Sequence, residues 1–131
     1  MKKIILLAVI TTFMISCKKE KPTEPPAPSL IGKWAVVNYQ TKEWNNGSVV
    51  YDDNYVGTTA DFMEFKSDNT ISFFMDGFGA TVNYQLQPDN KVAINGDTYT
   101  VQSLTANNAT LYLKTTYSNT NYDEEIINLK R

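Results

Sequence analysis

Histidine is absent from the 131 residues, and cysteine and arginine occur once each, as Cys17 and Arg131. The lack of histidine removes the most common general base and excludes every catalytic arrangement that pairs histidine with serine or cysteine. It also leaves carboxylates as nearly the sole metal ligands, which is a poor set for tetrahedral zinc. The sequence therefore predicts a protein that is not an enzyme and that holds no metal or other cofactor.

Basic side chains are scarce in the part of the chain that carries the folding pattern. From Leu30 onward there are seven basic and twelve acidic residues, which gives a net charge of −5. A nucleic-acid binder needs clustered lysine and arginine to displace counterions from phosphates. We therefore expect no nucleic-acid partner.

Asp68, Asp76, Asp89 and Asp97 all lie in predicted turns, where aspartate bonds to its own backbone. Asp52-Asp53-Asn54 offers oxygen ligands that suit calcium, but it lacks the spaced ligand series of a calcium loop, so a solvated loop is predicted there. Asp123-Glu124-Glu125 is predicted to be the exposed start of a strand.

The first residues are predicted to form a secretory signal. Lys2 and Lys3 precede an apolar stretch of about a dozen residues, too short to span a bilayer comfortably, and the stretch closes at Ser16-Cys17. This ending resembles the lipobox of bacterial lipoproteins, in which a peptidase cleaves before the cysteine and its sulfur receives a diacylglycerol. Ser16 and Cys17 match that pattern, whereas Met14 and Ile15 depart from it.

The resemblance implies a lipoprotein signal peptide at 1–16 and a lipidation site at Cys17. It also implies attachment to a membrane through the N-terminal lipid anchor. The expected location is the cell envelope of a bacterium, at the outer membrane. Whether the protein faces the periplasm or the cell surface stays open, because the lysine-rich tract at 18–21 resembles export tracts only in part.

Residues 17–29 are predicted to form a lipidated, proline-rich tether. Four of the five prolines lie between Lys18 and Ser29, and no large apolar side chain accompanies them. Such a segment cannot bury enough surface to offset its ordering entropy. At about 3.1 Å per residue, the twelve residues after Cys17 reach roughly 37 Å from the bilayer.

From residue 30 the pattern becomes that of an antiparallel sheet. Turn-forming residues recur at 45–47, 67–69, 76–79, 88–90, 95–97 and 106–108. Runs rich in β-branched and aromatic residues lie between them. The predicted strands are 33–44, 48–52, 60–66, 70–75, 80–87, 91–94, 98–104, 109–116 and 122–129.

Apolar residues alternate with polar ones along these strands, most clearly from Ala80 to Gln87. Alternation means that one side of the sheet meets a core and the other meets water. No long amphipathic helix is available to cover the apolar side, so the sheet must bury it against itself. Curling into a barrel does this and removes exposed edges, while a two-layer sandwich remains the alternative.

Gly32-Lys33-Trp34, at the start of the first strand, resembles the Gly-x-Trp opening of lipocalins, in which the tryptophan closes one end of the barrel. The hairpin at 65–71 and the segment at 95–101 resemble small lipocalin-like lipoproteins of bacterial envelopes. The likeness implies an all-β fold at 30–131, a single antiparallel meander closing into a lipocalin-like barrel of about 8–9 strands. It also implies a small hydrophobic or amphipathic ligand, bound without catalysis.

The inward-facing aromatic and aliphatic side chains are the candidate ligand-binding residues: Trp34, Phe65, Phe73, Val82, Tyr84, Tyr99 and Leu113. The same residues also suit ordinary core packing, because a small barrel can be filled by its own side chains. The alternative function is therefore a filled-barrel interaction or structural module that contacts another envelope protein or a glycan. Aromatic residues in or beside predicted loops would serve that role, namely Trp44, Tyr51, Tyr55 and Phe78.

Overall fold

The computed structural model describes residues 27–131. Cys17, the predicted signal peptide at 1–16 and most of the predicted tether at 17–29 lie outside the described residues. Within 27–131, no helix has the length and apolar character needed to cross a membrane.

Residues 27–131 form nine strands, one for each strand that the sequence predicts. Their bounds are β1 Gly32–Asn45, β2 Ser48–Val56, β3 Phe62–Phe65, β4 Thr70–Met75, β5 Phe78–Gln87, β6 Lys91–Ile94, β7 Asp97–Leu104, β8 Asn108–Thr116 and β9 Tyr122–Lys130. All neighbouring strands pair antiparallel. The predicted all-β meander is confirmed.

The sheet closes on itself because β1 pairs with β9 as well as with the strands that follow it. Eight strands, β1 and β3 to β9, form the barrel, and β2 is an extra strand at the open end of the sheet order. This settles the choice between barrel and sandwich in favour of the barrel.

β1 is long enough to pair with three other strands. Along one edge it pairs with β9 from Ala35 to Trp44. Along the other edge its first four residues pair with β3, and its second half pairs with β2. Thus β2 and β3 follow one another down the same edge of β1, with the link at 57–61 between them.

Gly57 lies in this link, where the chain passes against β1. Its N–H donates to the carbonyl oxygen of Val37 at 2.9 Å, and a Cβ at this position would lie 1.9 Å from the carbonyl oxygen of Val36. Only glycine permits so close an approach of two backbones.

The β1–β2, β4–β5 and β6–β7 hairpins turn on the pairs Asn46-Gly47, Asp76-Gly77 and Asn95-Gly96. Both residues of each pair have positive φ, for example 50° and 76° at Asn46 and Gly47. These conformations define the tight hairpin turns whose twist matches that of the flanking strands. In an antiparallel meander these three turns, together with the β8–β9 turn, lie at the same end of the barrel, here called the mouth.

The opposite end, here called the closed end, is filled by side chains. Trp34 is fully buried there and its indole N–H donates to the carbonyl of Leu30 at 2.7 Å. The guanidinium of Arg131 stacks over the Trp34 ring at 3.9 Å and donates to the carbonyls of Ser29 (3.1 Å) and Ile31. The chain therefore enters the barrel at its closed end.

The segment Asp52-Asp53-Asn54 is exposed to solvent as predicted, but it is part of β2, so the predicted loop is wrong. Asp52 accepts a hydrogen bond from the Gln40 side chain at 2.9 Å and lies 3.7 Å from the Lys42 ammonium. Among the described residues, no group of three or more acidic or cysteine side chains is placed to hold a metal ion.

Candidate ligand cavity

A cavity of about 220 Å³ opens inside the barrel toward the mouth. Seven of the nine strands in 27–131 contribute to its wall, together with the turn between β6 and β7. The lining residues are Tyr39, Met63, Phe73, Met75, Val82, Ile94, Asn95, Asp97, Tyr99, Glu125 and Ile127.

Inward side chains become less buried from the closed end of the barrel toward the mouth, and this change locates the cavity. Trp34, Phe65 and Ile71 are at most 1% exposed, as expected of a packed core. Phe73 and Val82 lie on the same inward side of β4 and β5 but are only partly buried. Inward side chains toward the mouth therefore border open space on one side and pack against the core on the other.

Larger clefts exist outside this cavity, one on the outer wall and one at the closed end. One of about 690 Å³ is lined by exposed polar side chains such as Asn83 and Gln85, which point away from the core. Another of about 510 Å³ runs between the segment at 28–30 and the strands β5 to β7. Ligand sites are typically concave and mostly apolar with few polar groups, which favours the interior cavity over both clefts.

Three of the seven candidate ligand-binding residues line the cavity: Phe73, Val82 and Tyr99. The other four, Trp34, Phe65, Tyr84 and Leu113, belong to the buried core and are not part of its wall.

The packing of Phe65 and Tyr84 illustrates the core role. Their rings meet edge to face at 5.3 Å, and the Tyr84 hydroxyl donates to the carbonyl of Lys66 at 2.8 Å. Such an aromatic pair contributes about 0.5–1.5 kcal/mol beyond its area burial. These two side chains stabilise the floor below the cavity.

Glu125 brings a carboxylate to the cavity wall, which the sequence prediction of an exposed strand start missed. It is partly buried, and it shares the inward side of β9 with Ile127 and Leu129. The Tyr99 hydroxyl donates to Glu125 Oε2 at 3.0 Å. Burial, followed by the nearby Glu125 carboxylate, raises the pKa of Tyr99, so this phenol stays a hydrogen-bond donor.

Tyr39 adds a second phenol to the same wall, on β1 opposite Ile127. Burial is the main reason that its pKa is raised, and Glu125 contributes in the same direction. The cavity thus combines an apolar body with a polar side formed by two phenols and one carboxylate. Counting two-residue steps back along β9 from Ile127 would have placed Glu125 on this side.

Trp44, one of the four predicted loop aromatics, lies on the outer face of β1 in a network that uses its polar atom. Its ring stacks on Tyr122 at 5.3 Å and its indole N–H donates to Glu124 at 2.9 Å. Glu124 also accepts from the Tyr112 hydroxyl at 2.6 Å, and burial together with this bond raises the pKa of Tyr112 to about 12. This network ties β1, β8 and β9 together.

Tyr55 lies in β2 rather than in a loop, and its hydroxyl donates to Asp61 at 2.7 Å. Asp61 is only 2% exposed and also accepts from the Thr58 N–H (2.6 Å) and hydroxyl (2.8 Å), and from the Asp76 N–H (3.2 Å). These bonds, with the Thr58 N–H first, lower the pKa of Asp61. These bonds fix the β2–β3 link to the β4–β5 turn.

Tyr51 and Phe78 are the exposed members of the four predicted loop aromatics, with 48% and 64% of their surface exposed.

In comparisons with models of known protein families, with curated proteins and with solved structures, this chain matches none.

Proposed function

We propose that this protein is a lipid-anchored lipoprotein of a bacterial cell envelope whose lipocalin-like barrel binds a small hydrophobic or amphipathic ligand without catalysis. The observation that carries the proposal is the cavity inside the mouth. Its wall is built from inward side chains that a filled barrel would have packed against one another.

The volume of the cavity limits the ligand. An apolar cavity of about 150 Å³ is large enough to bind benzene. At about 220 Å³, this one suits a molecule with a single ring or a short chain. The phenols of Tyr39 and Tyr99 and the carboxylate of Glu125 favour a ligand with one polar end.

The lipid anchor is supported by the N-terminal pattern that ends at Cys17. The geometry of the barrel is compatible with it, because the chain enters at the closed end, beside Trp34. The mouth lies at the opposite end, so a tether of the predicted length leaves the cavity open to the aqueous phase.

Two methionine methyl groups report directly on the cavity. Met63 and Met75 both line it, and the remaining methionines, Met1 and Met14, lie in the predicted signal peptide. We expect titration of the purified protein with 2-phenylethanol to shift both labelled methyl signals in NMR spectra, and to do so saturably. Absence of saturable shifts would overturn the proposal.

Filling the cavity provides the matched test. Val82→Trp places a large ring in the cavity and should abolish the methyl shifts. Val50→Trp adds the same bulk to β2, where Val50 is 60% exposed, and should leave them unchanged. Binding that survives Val82→Trp would place the ligand outside the barrel.

The extra strand β2 favours a second function, that of an interaction module. Its outer edge has no partner strand within 27–131, and Val50 and Val56 are 60% and 68% exposed. An unpaired edge with apolar side chains can accept an extended segment of another protein. Crosslinking in whole cells from position 51 should then recover one consistent envelope protein, and crosslinking from Thr81 on β5 should not.

A further inference from the structure

The charge on the cavity wall is of one sign. Glu125 lies on β9 within the cavity and Asp97 is exposed at its rim, where β7 begins. No lysine or arginine is among the lining residues. A ligand that enters meets two carboxylates and no positive group.

The Glu125 carboxylate also lacks a counter-charge from the described part of the chain. The ion pair found there joins Lys42 and Asp52, and no basic side chain in 27–131 comes within 4.0 Å of Glu125. Its hydrogen bond from Tyr99 comes from a neutral phenol and leaves the negative charge in place. Because Glu125 is partly buried and no basic side chain of 27–131 pairs with it, a cationic group that enters the cavity is attracted to its carboxylate.

The nearby strand ends strengthen the negative field at the mouth. On β9, Asp123 shares the inward side with Glu125, and it pairs with Glu43 of β1. The Lys114 ammonium of β8 lies 3.5 Å from the ring of Tyr122, which belongs to the outer face. A concave site with charges of one sign concentrates small ions of the other sign.

Aromatic rings complete the arrangement. Tyr39, Phe73 and Tyr99 line the same cavity as Glu125. The faces of such rings attract ammonium groups, most strongly where water is excluded. A primary amine also supplies hydrogen-bond donors that a carboxylate can accept.

We infer that the cavity selects a small organic cation, an amine carried on a single ring or short apolar chain, whose ammonium group pairs with the Glu125 carboxylate. This inference rests on the proposed function, because it names the chemical class of ligand for the same cavity. The apolar wall holds the body of the ligand, and the side formed by Glu125, Tyr39 and Tyr99 holds its charged end.

Three probes of similar size and different charge test the inference: 2-phenylethylamine, 2-phenylethanol and phenylacetate. Binding is followed by the Met63 and Met75 methyl signals, as above. The amine should bind at least about tenfold more tightly than the alcohol, which corresponds to one charge-assisted hydrogen bond. Phenylacetate should not bind.

Glu125→Gln should lower the affinity of the amine until it no longer exceeds that of the alcohol, both measured on the same variant. Glu64→Gln is the matched control, because Glu64 lies between the buried Met63 and Phe65 on β3 and faces outward. Removing its charge should preserve the preference for the amine. An equal response to both variants would overturn the assignment of Glu125.

The outcomes separate this inference from the function on which it rests. If the alcohol binds as tightly as the amine, the proposed function stands and the cation selectivity is wrong. If none of the three probes binds, the ligand-binding function itself is overturned. Should Glu125→Gln fail to fold, added NaCl provides the second measurement: it should weaken amine binding and leave alcohol binding unchanged, and the opposite result would contradict the inference.

Discussion

At position 57 a hydrogen atom is the only side chain that fits. Gly57→Ala would place a methyl group 1.9 Å from the Val36 carbonyl oxygen, and the two backbones are held together by the Gly57 N–H bond to Val37. We expect a loss of more than about 3 kcal/mol in the free energy of unfolding, because backbone must move to relieve the clash. Urea unfolding followed by tryptophan fluorescence measures it.

Gly47→Ala is the matched control for this substitution. Nothing lies within 4 Å of a Cβ at Gly47, but its φ is +76°, so alanine there is strained by its backbone alone. The expected cost is about 1 kcal/mol. Equal losses for the two variants would show that close approach to Val36 is not what requires glycine at position 57.

Asp61 makes the stability of the barrel sensitive to acid. Its pKa is lowered below the ordinary 3.8 by the N–H of Thr58 and the Tyr55 hydroxyl. A group with a lowered pKa in the folded state stabilises the fold above its unfolded-state pKa, and that contribution is lost as the pH falls through the folded value. Asp61→Asn should therefore unfold at lower urea concentration than the original chain at neutral pH, and the difference should shrink below pH 3.8.

Urea midpoints measured from about pH 7 down to about pH 2.5 test this prediction. Asp53→Asn makes the same chemical change at an exposed position on β2 and should follow the original chain throughout. A constant difference between Asp61→Asn and the original chain at every pH would mean that the charge of Asp61 plays no part.

Glu125 shows where prediction from single residues fails. A run of three acidic residues at a strand start predicted exposure, but Asp123, Glu124 and Glu125 are all partly buried. The negative charges of these residues favoured exposure to solvent. The two-residue spacing from Ile127 instead determines the side of β9 that Glu125 occupies. The same alternation correctly placed Phe73, Val82 and Tyr99 inside, but it carries no information on which inward positions border a void.

Among the strands, β2 and β9 differ in how their edges are covered. β9 pairs with β8 along one edge and with β1 along the other, whereas β2 pairs only with β1 within 27–131. We expect the outward-facing half of the β2 amides to exchange rapidly with solvent and the β9 amides to be protected, since unpaired edge amides contact water. Hydrogen exchange followed by NMR measures both strands in one sample.

Protection of β2 equal to that of β9 would contradict this expectation and would mean that another strand covers the edge. Repeating the exchange at lower protein concentration would then distinguish a second copy of this chain from an internal partner. Only protection by a second copy should weaken on dilution.

The C-terminal end of β2 was not predicted from the sequence. The predicted strand stops at residue 52, yet β2 continues to Val56 through Asp53 and Asn54. Those two residues favour turns, and the strand is exposed on both faces, so no apolar alternation extends the pattern. Pairing with β1, from Asn38 to Thr41, holds residues 53–56 extended instead.

The sequence did not decide between a barrel and a sandwich, because alternation identifies the apolar side of a sheet and not its curvature. The deciding feature is the length of β1, whose 14 residues pair with β9 on one edge and with β3 and β2 on the other. The residue pairs Trp44–Tyr122 and Ala35–Lys130 that join the first and last strands are far apart in sequence. No local pattern predicts which distant strands meet.

At the scale of the whole molecule, the proposed lipid anchor at Cys17 would decide where the protein works. We predict that Cys17→Ser prevents lipidation, so that the protein moves from the membrane fraction to the soluble fraction of the producing cell. More than one acyl chain is needed for lasting attachment, and Cys17 is the only cysteine available to begin it. Fractionation and intact mass measure the result.

Ser16→Ala serves as the control, because it keeps a small residue before the cysteine and should retain the lipid mass and the membrane location. Membrane retention of Cys17→Ser without added acyl mass would contradict the anchor and would point instead to a protein partner in the envelope.

The Arg131 contacts at the closed end have a mechanical consequence. Tension transmitted through residues 27–29 reaches the barrel where the Arg131 guanidinium holds the carbonyls of Ser29 and Ile31. It then runs lengthwise along β1, whose bonds to β3 and β9 stand across the direction of pull. Such a force loads many of these backbone hydrogen bonds at once in shear. We therefore expect the barrel to resist unfolding when it is pulled through its N-terminal segment.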